Sequence, residues 1–273
     1  FPIEIEAFEA RGIGVNANNL SLGYSQDEMI IISEDLSDNI YIIFSSIGVS
    51  EHILSGNLSG TYPVETYRIT GDLEISNSES VVLQPGTKFL FDGNYSFDVF
   101  GVLEAIGTYQ DSIYFSNYNT DPWKGFTIEG VDEQTVFEFV EISNAEKTDG
   151  GGLYLVNSNP SLNNMTIYNN RAHGHGGGLY LVSSNPILSN LDIYDNHANT
   201  GTGGGICMYY SDPHLNNILV SQNNSESWGG GLKLYESSPT INNITISGNE
   251  ASSGGGLYLQ NNSNPIFTDI NIN

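Results

Sequence analysis

Residues 150–160 read GGGLYLVNSNP, and residues 176–186 read GGGLYLVSSNP. The same eleven positions return almost unchanged after an interval of 26. Glycine triplets begin at Gly150, Gly176, Gly203, Gly229 and Gly254, at intervals of 26, 27, 26 and 25. Pro160, Pro186, Pro213, Pro239 and Pro265 keep the same beat, at 26, 27, 26 and 26. A fixed period of this length marks a repeat architecture. The unit reads GGGLYLxxSxPxLxNxxIxxNxA plus a short variable stretch. Apolar residues alternate with period two and turn residues separate the runs, so the unit holds strands and no helix.

One unit has room for three short strands and three turns, too little to bury a face alone. Stacking removes the difficulty, because each coil can lay its strands beside those of the next at about 4.8 Å. The expected fold is all-β: a right-handed parallel β-helix with three short strands per coil of about 26 residues. Alternation then assigns side-chain directions. Leu153, Leu179, Ile206, Leu232 and Leu257 form one inward column, and Leu155, Leu181, Met208, Leu234 and Leu259 a second. Ile167, Ile193, Val220, Ile246 and Ile272 make an inward column on another sheet. Asn164, Asn190, Asn217 and Asn243 recur in register, with Asp269 next, as do Asn170, Asn196, Asn223 and Asn249. Stacked carboxamides hydrogen-bond along the axis, so both columns read as structural ladders. The sequons at Asn164 and Asn243 follow from an Asn/Thr-rich repeat.

Regular coils run from residue 150, and irregular ones reach back to about residue 66, giving a β-helix over 63–273. Residues 1–62, with EMIIISE and NIYIIFSSI between acidic loops, are expected to be an N-terminal β cap or the tail of a preceding β domain. The N-terminus FPIEIEAFEARG lacks a basic n-region, so a signal peptide is expected to be absent or already removed. The C-terminus stops in mid-repeat, as in a truncated or processed form of something longer, and Ile270-Asn-Ile272 leaves a strand edge open to self-association.

Composition narrows the partners. The 273 residues carry 32 Asp+Glu against 7 Lys+Arg, a formal net charge of -25. That balance argues against nucleic acid, whose phosphates need Lys and Arg, and against anionic membrane surfaces. No run approaches the roughly 18 apolar residues of a membrane span. With one cysteine, Cys207, no disulfide forms within the chain. The acidic, Tyr- and Asn-rich surface suits an extracellular or cell-surface location.

The stretch LEISNSESVVLQPGTKFLFDGNYSFDVFGVLEAIGT, followed by DSIYFSN and WKGFTIEG, resembles the first coils of secreted right-handed β-helix proteins from bacteria, especially Bacteroidetes-like lineages. The GGGLYL…NxTIxxN units resemble pectin-lyase-like repeats, and also the GGA[ILV] and FxxN repeats of chlamydial polymorphic outer-membrane proteins. This resemblance spans roughly 66–273. It implies a fold more than a function, since the superfamily holds polysaccharide lyases, glycoside hydrolases, epimerases, adhesins and other surface proteins.

The candidate site follows from the outward positions. On the Gly-rich strand these are Tyr154, Tyr180, Cys207, Lys233 and Tyr258, then Val156, Val182, Tyr209, Tyr235 and Gln260. The tyrosine stripe is suited to stacking on sugar rings, and equally to an aromatic ladder stabilising the sheet. The variable turn before each triplet adds Arg171, His173, His175, His197, Glu226, Trp228 and Glu250. His173-Gly-His175 resembles the Gly-His-Gly element of polygalacturonases, but the accompanying Asn-Thr-Asp, Asp-Asp and Arg-Ile-Lys elements are missing. Glu226 and Glu250, one coil apart, match the separation of about 5–10 Å that glycoside hydrolysis needs. Lys233 and Arg171, the basic residues of the regular coils, sit too far apart for a lyase site. No cofactor and no metal is expected: Ca²⁺ suits the acidity, but no motif for it occurs.

These features favour a non-catalytic β-helix serving as adhesin, stalk or binding surface for a polysaccharide, surface glycan or other protein. Near-identical coils support it, because a catalytic groove breaks the pattern where the site lies. The alternatives are a polysaccharide lyase or glycoside hydrolase with its groove on the tyrosine face, and a self-assembling surface or filament subunit.

Overall fold

The structure, a computed structural model, describes residues 4–5, 25–33, 40–48 and 52–273. Two units arise, Phe1–Glu51 and His52–Asn273. In the first, strands Glu4–Ile5, Ile40–Gly48 and Ser25–Ser33 form an antiparallel sheet in that order. The two long strands contain the EMIIIS and IYIIFSSI runs, while the acidic loop 34–39 and the N-terminal stretch 6–24 lie outside the described residues.

The second unit is a parallel β-solenoid of about eight coils, each of roughly 26 residues. It begins at His52, ahead of the expected boundary at residue 63. Strands His52–Asn57 and Gly60–Tyr62 already pair in parallel with Thr66–Ile75 and Ser80–Leu83. Their sequence carries no glycine triplet, so periodicity placed them outside the repeat. Among the described residues no helix is long and apolar enough to cross a membrane.

One regular coil shows the construction. Face A is Leu153–Val156. The chain turns at Asn157 (φ 48°) and enters Ser161–Tyr168, which a single residue, Asn164 (φ 50°), bends into face B (161–163) and face C (165–168). Asn169 (φ 54°) turns it again into the short strand Arg171–Ala172, which opens a side loop leading to the next glycine triplet. Left-handed backbone is costly for most residues and mildest for Asn, Asp and Gly. That cost explains why the bend position stays Asn in Asn164, Asn190, Asn217 and Asn243 and becomes Asp269 after them.

The inward columns are as the alternation requires. Leu153, Leu179, Ile206 and Leu232 stack in register with no exposed surface, as do Leu155, Leu181, Met208 and Leu234. The face-C column runs the length of the solenoid, from Tyr67 through Phe89, Phe115, Ile142, Ile167, Ile193 and Val220 to Ile246. Its first three members are aromatic and the other five aliphatic, and this blurred the repeat upstream. Phe89, Phe97, Phe115 and Phe126 pack as edge-on and stacked rings 4.8–6.1 Å apart. Trp123 stacks on Phe91 at 4.3 Å, and its indole N–H donates to the Ser143 carbonyl (2.8 Å). In the last coil the same inward positions, Leu259 and Ile272, are 44% and 49% exposed.

Polar ladders join the coils. In the buried one, the Nδ2 of Asn170, Asn196 and Asn223 donates both to an Ile carbonyl of the preceding coil and to the Oδ1 of the next Asn, and Asn249, the last rung, donates to the Val220 carbonyl, all at 2.8–3.1 Å. Each Oδ1 also accepts from the backbone N–H of the preceding rung. The bend asparagines form a second, exposed ladder, Asn243 to Asn217 and Asn217 to Asn190, and Asn190 then donates to Asn163 rather than to the expected Asn164 beside it. Two more were not read from the repeat. Ser184, Ser211, Ser237 and Ser263 each accept the backbone N–H of the serine one coil before, at 3.0–3.1 Å, and Ser158 accepts that of Val131 (3.3 Å). One residue on the direction reverses, and Asn159, Asn185, Asp212 and Ser238 each accept the backbone N–H of the coil that follows.

Candidate functional site

The glycine triplets are the key to the site, and two constraints fix them. The first glycine of each, for example Gly176 (φ 65°), takes a backbone conformation that side chains resist. The second has no room for a Cβ: at Gly177 it would clash with the Gly204 carbonyl oxygen and sit 2.6 Å from the His197 nitrogen. The triplet thus returns from the side loop pressed against the short parallel sheet formed by Glu146–Lys147, Arg171–Ala172, His197–Ala198, Asn224–Trp228 and Glu250–Ser253. A tight turn into the strand accounts for the first of these glycines only.

This close return carries the residue before each triplet over the outward column of face A. The His175 ring lies 5.5 Å from Tyr180, Thr202 Oγ1 lies 3.5 Å from Cys207 Sγ, and Trp228 stacks on Tyr258 at 5.6 Å. The expected outward column is therefore largely covered. Tyr180 keeps 8% of its surface and Cys207 and Lys233 none, while Tyr154 and Tyr258 are half-buried. Strand alternation places a side chain above or below its sheet, and what lies over it is decided by another segment.

What remains accessible is an aromatic seam. Tyr154 stacks on Tyr180 at 5.1 Å, and His175 bridges from Tyr180 to Tyr209, 5.4 Å away. Tyr209 stacks on Tyr235 at 4.7 Å, and Tyr210 meets the edge of Tyr235 at 5.7 Å. Tyr210 (53% exposed) and Trp228 (42% exposed) present free ring surface. Sequence reasoning passed over Tyr210, which sits at a variable turn position with φ 53°. A large aromatic there, where other coils have Asn, Ser or Glu, was the available signal.

Burial shifts several titratable groups along the seam. Burial pushes the Tyr209 phenol and the Cys207 thiol each up to about 12, and raises Tyr180 further. Burial lowers His175, partly opposed by Asp149; its Nδ1 shares a 3.0 Å hydrogen bond with Thr202 Oγ1. Lys233 lies under the seam. Its ammonium faces Tyr258, Trp228 and Tyr235 at 4.5, 5.5 and 5.9 Å and donates to Gln260 Oε1, and burial lowers its pKa. Lys233 is thus sealed by aromatic faces rather than presented to a ligand.

The remaining predicted residues disperse over the side loops. Arg171 is exposed, in register with Glu146 and His197. His173 Nε2 pairs with Glu146 Oε1 at 3.2 Å, and His197 is lowered by burial and by Arg171. The three histidines thus point to different partners, and among the described residues no three His, Cys, Asp or Glu side chains converge as metal ligands. Glu226 and Glu250 do not form a carboxylate pair in register, because Glu250 aligns with Asn224.

Lys147 was missed. It occupies the register of the buried Ala172 and Ala198, and its Nζ donates to Thr127 Oγ1 (2.8 Å) and the Phe126 carbonyl (3.1 Å) beside the Tyr154 ring. Burial lowers this amine to about 8, against the opposing charges of Asp98 and Asp149. A lysine where later coils carry the alanine of the NxA signature was legible as a departure from the repeat.

The family of right-handed β-helix regions matches residues 104–269. No curated protein and no solved structure matches.

Proposed function

The chain belongs to the right-handed β-helix family, and on that scaffold we propose a non-catalytic extracellular or cell-surface protein that binds glycan along face A. The observation that carries this reading is the seam itself. Tyr209, Tyr210, Tyr235, Trp228 and Tyr258 align ring surface along the solenoid axis, with Tyr210 and Trp228 open to solvent. Aromatic faces bordered by polar groups suit the apolar faces and hydroxyls of sugar rings. Coils spaced by about 4.8 Å repeat that contact along a polymer. Phenols and thiol held neutral, and carboxylates out of register, argue for binding rather than bond cleavage.

The test is a polysaccharide panel run by affinity electrophoresis, with Trp228→Ala and Tyr210→Ala beside the wild type. Each variant is expected to weaken binding about tenfold, which corresponds to about 1.4 kcal/mol. Absence of retardation by every polysaccharide overturns the proposal. A second reading, a polysaccharide lyase or glycoside hydrolase, draws on Lys147, whose lowered pKa lies beside Asp98 and Asp149. New unsaturated or reducing ends that vanish with Lys147→Met would favour it instead.

A further inference from the structure

The charges flanking the open ends of the seam differ in sign from those beneath it. Glu226 is exposed two residues before Trp228 on the same strand. Glu236 follows Tyr235 and takes the same left-handed turn position as Tyr210, one coil on, and its carboxylate is exposed. Asp212, two residues beyond Tyr210, is exposed as well. The cations that would offset them are withdrawn. Lys233 has no exposed surface and is roofed by three rings, His175 is half-buried between Tyr180 and Tyr209, and Arg171, though exposed, stands on the short side-loop strand Arg171–Ala172 rather than on face A. The net charge of -25 adds a long-range field of the same sign.

From this juxtaposition we infer that the glycan of face A is an amino polysaccharide, its ammonium groups set against Glu226 and Glu236 while its rings stack on Trp228 and Tyr210. The inference rests on the glycan-binding reading above. Ammonium groups gain twice here, from the carboxylates and from the faces of Trp and Tyr rings. A uronate or sulfated polymer meets the opposite situation, since among the described residues the cation beneath these rings, Lys233, has no exposed surface to receive its charge, and the net charge of the chain opposes its approach.

The experiment is calorimetric titration of the full chain with three soluble polymers: a β-linked glucosamine oligomer, its fully N-acetylated counterpart, and polygalacturonate. The glucosamine oligomer is expected to bind at least about tenfold more tightly than the N-acetylated form at low salt, and that advantage should shrink as salt screens the exposed carboxylates. Glu226→Gln with Glu236→Gln should remove most of the advantage while leaving the weaker binding of the N-acetylated oligomer unchanged. Equal affinity for both oligomers at every salt concentration, or preferential binding of polygalacturonate, overturns the charge assignment and leaves glycan binding standing. Glucosamine binding that survives Trp228→Ala undiminished also overturns the inference, because the oligomer is then held by the general acidity of the surface. Failure of all three oligomers and of the wider polysaccharide panel removes the underlying reading as well.

Discussion

Replacement of Asn196 by Ala isolates the contribution of the buried ladder. Asn196 is 1% exposed and uses every polar atom of its side chain. Its Nδ2 donates to the Ile167 carbonyl (2.8 Å) and to Asn223 Oδ1 (3.0 Å), and its Oδ1 accepts from the Asn170 backbone N–H (3.0 Å) and from Asn170 Nδ2 (3.1 Å). Truncation deprives the Asn170 N–H of this acceptor and the Ile167 carbonyl of this donor. Each buried polar group left unmet costs about 1–3 kcal/mol, so the loss should be about 2–6 kcal/mol. Asn242 is the control: it is exposed and donates only to Asn216 Oδ1 (2.8 Å), so Asn242→Ala should cost about 0.5 kcal/mol or less. Solenoids unfold coil by coil rather than all at once, so one melting curve would blur the effect. Hydrogen exchange read by mass spectrometry is the appropriate assay, with faster exchange expected in peptides covering 165–200 and little change before residue 100. If Asn196→Ala and Asn242→Ala exchange alike, the ladder does not hold the coils together and the reasoning fails.

Two further perturbations follow from the side loops. Gly177→Ala should destabilise by more than the roughly 1–2 kcal/mol that left-handed backbone costs a non-glycine residue, because its Cβ meets backbone atoms of the next coil rather than a movable side chain; urea midpoints compared with Gly130→Ala, where φ is 70° but the space around it is open, check this. Lys147 binds its proton less tightly folded (about 8) than unfolded (10.5), so between those values the unfolded chain holds the extra proton and stability rises with pH. The wild type should therefore gain on Lys147→Met by at most about 3 kcal/mol from pH 7.5 to pH 10 in paired urea melts, and a flat difference would refute the burial of the amine.

The inward columns and the stacking of coils were legible because period-two alternation and a repeat of about 26 residues leave one packing that buries every Leu and Ile face. The early coils were less so, since Phe89, Phe115 and Trp123 fill the same volume as aliphatic residues without repeating their letters. The serine ladder escaped notice because one serine per unit looks like ordinary turn chemistry until four of them each accept the backbone N–H of the serine before. The candidate site was half visible. Tyr209, Tyr235 and Trp228 were assigned to it, but Lys233 was read as presented and is sealed, while Tyr210 and Lys147 went unseen.

Local pattern and period, by themselves, determined the solenoid: which side of each strand faces the core depends only on alternation along the chain. Which outward residues meet solvent depends on a second segment, the side loop, and only the tertiary structure decided that. The steric demand at Gly177 brings the loop down onto face A, and His175, Thr202 and Trp228 then cover Tyr180, Cys207 and Lys233.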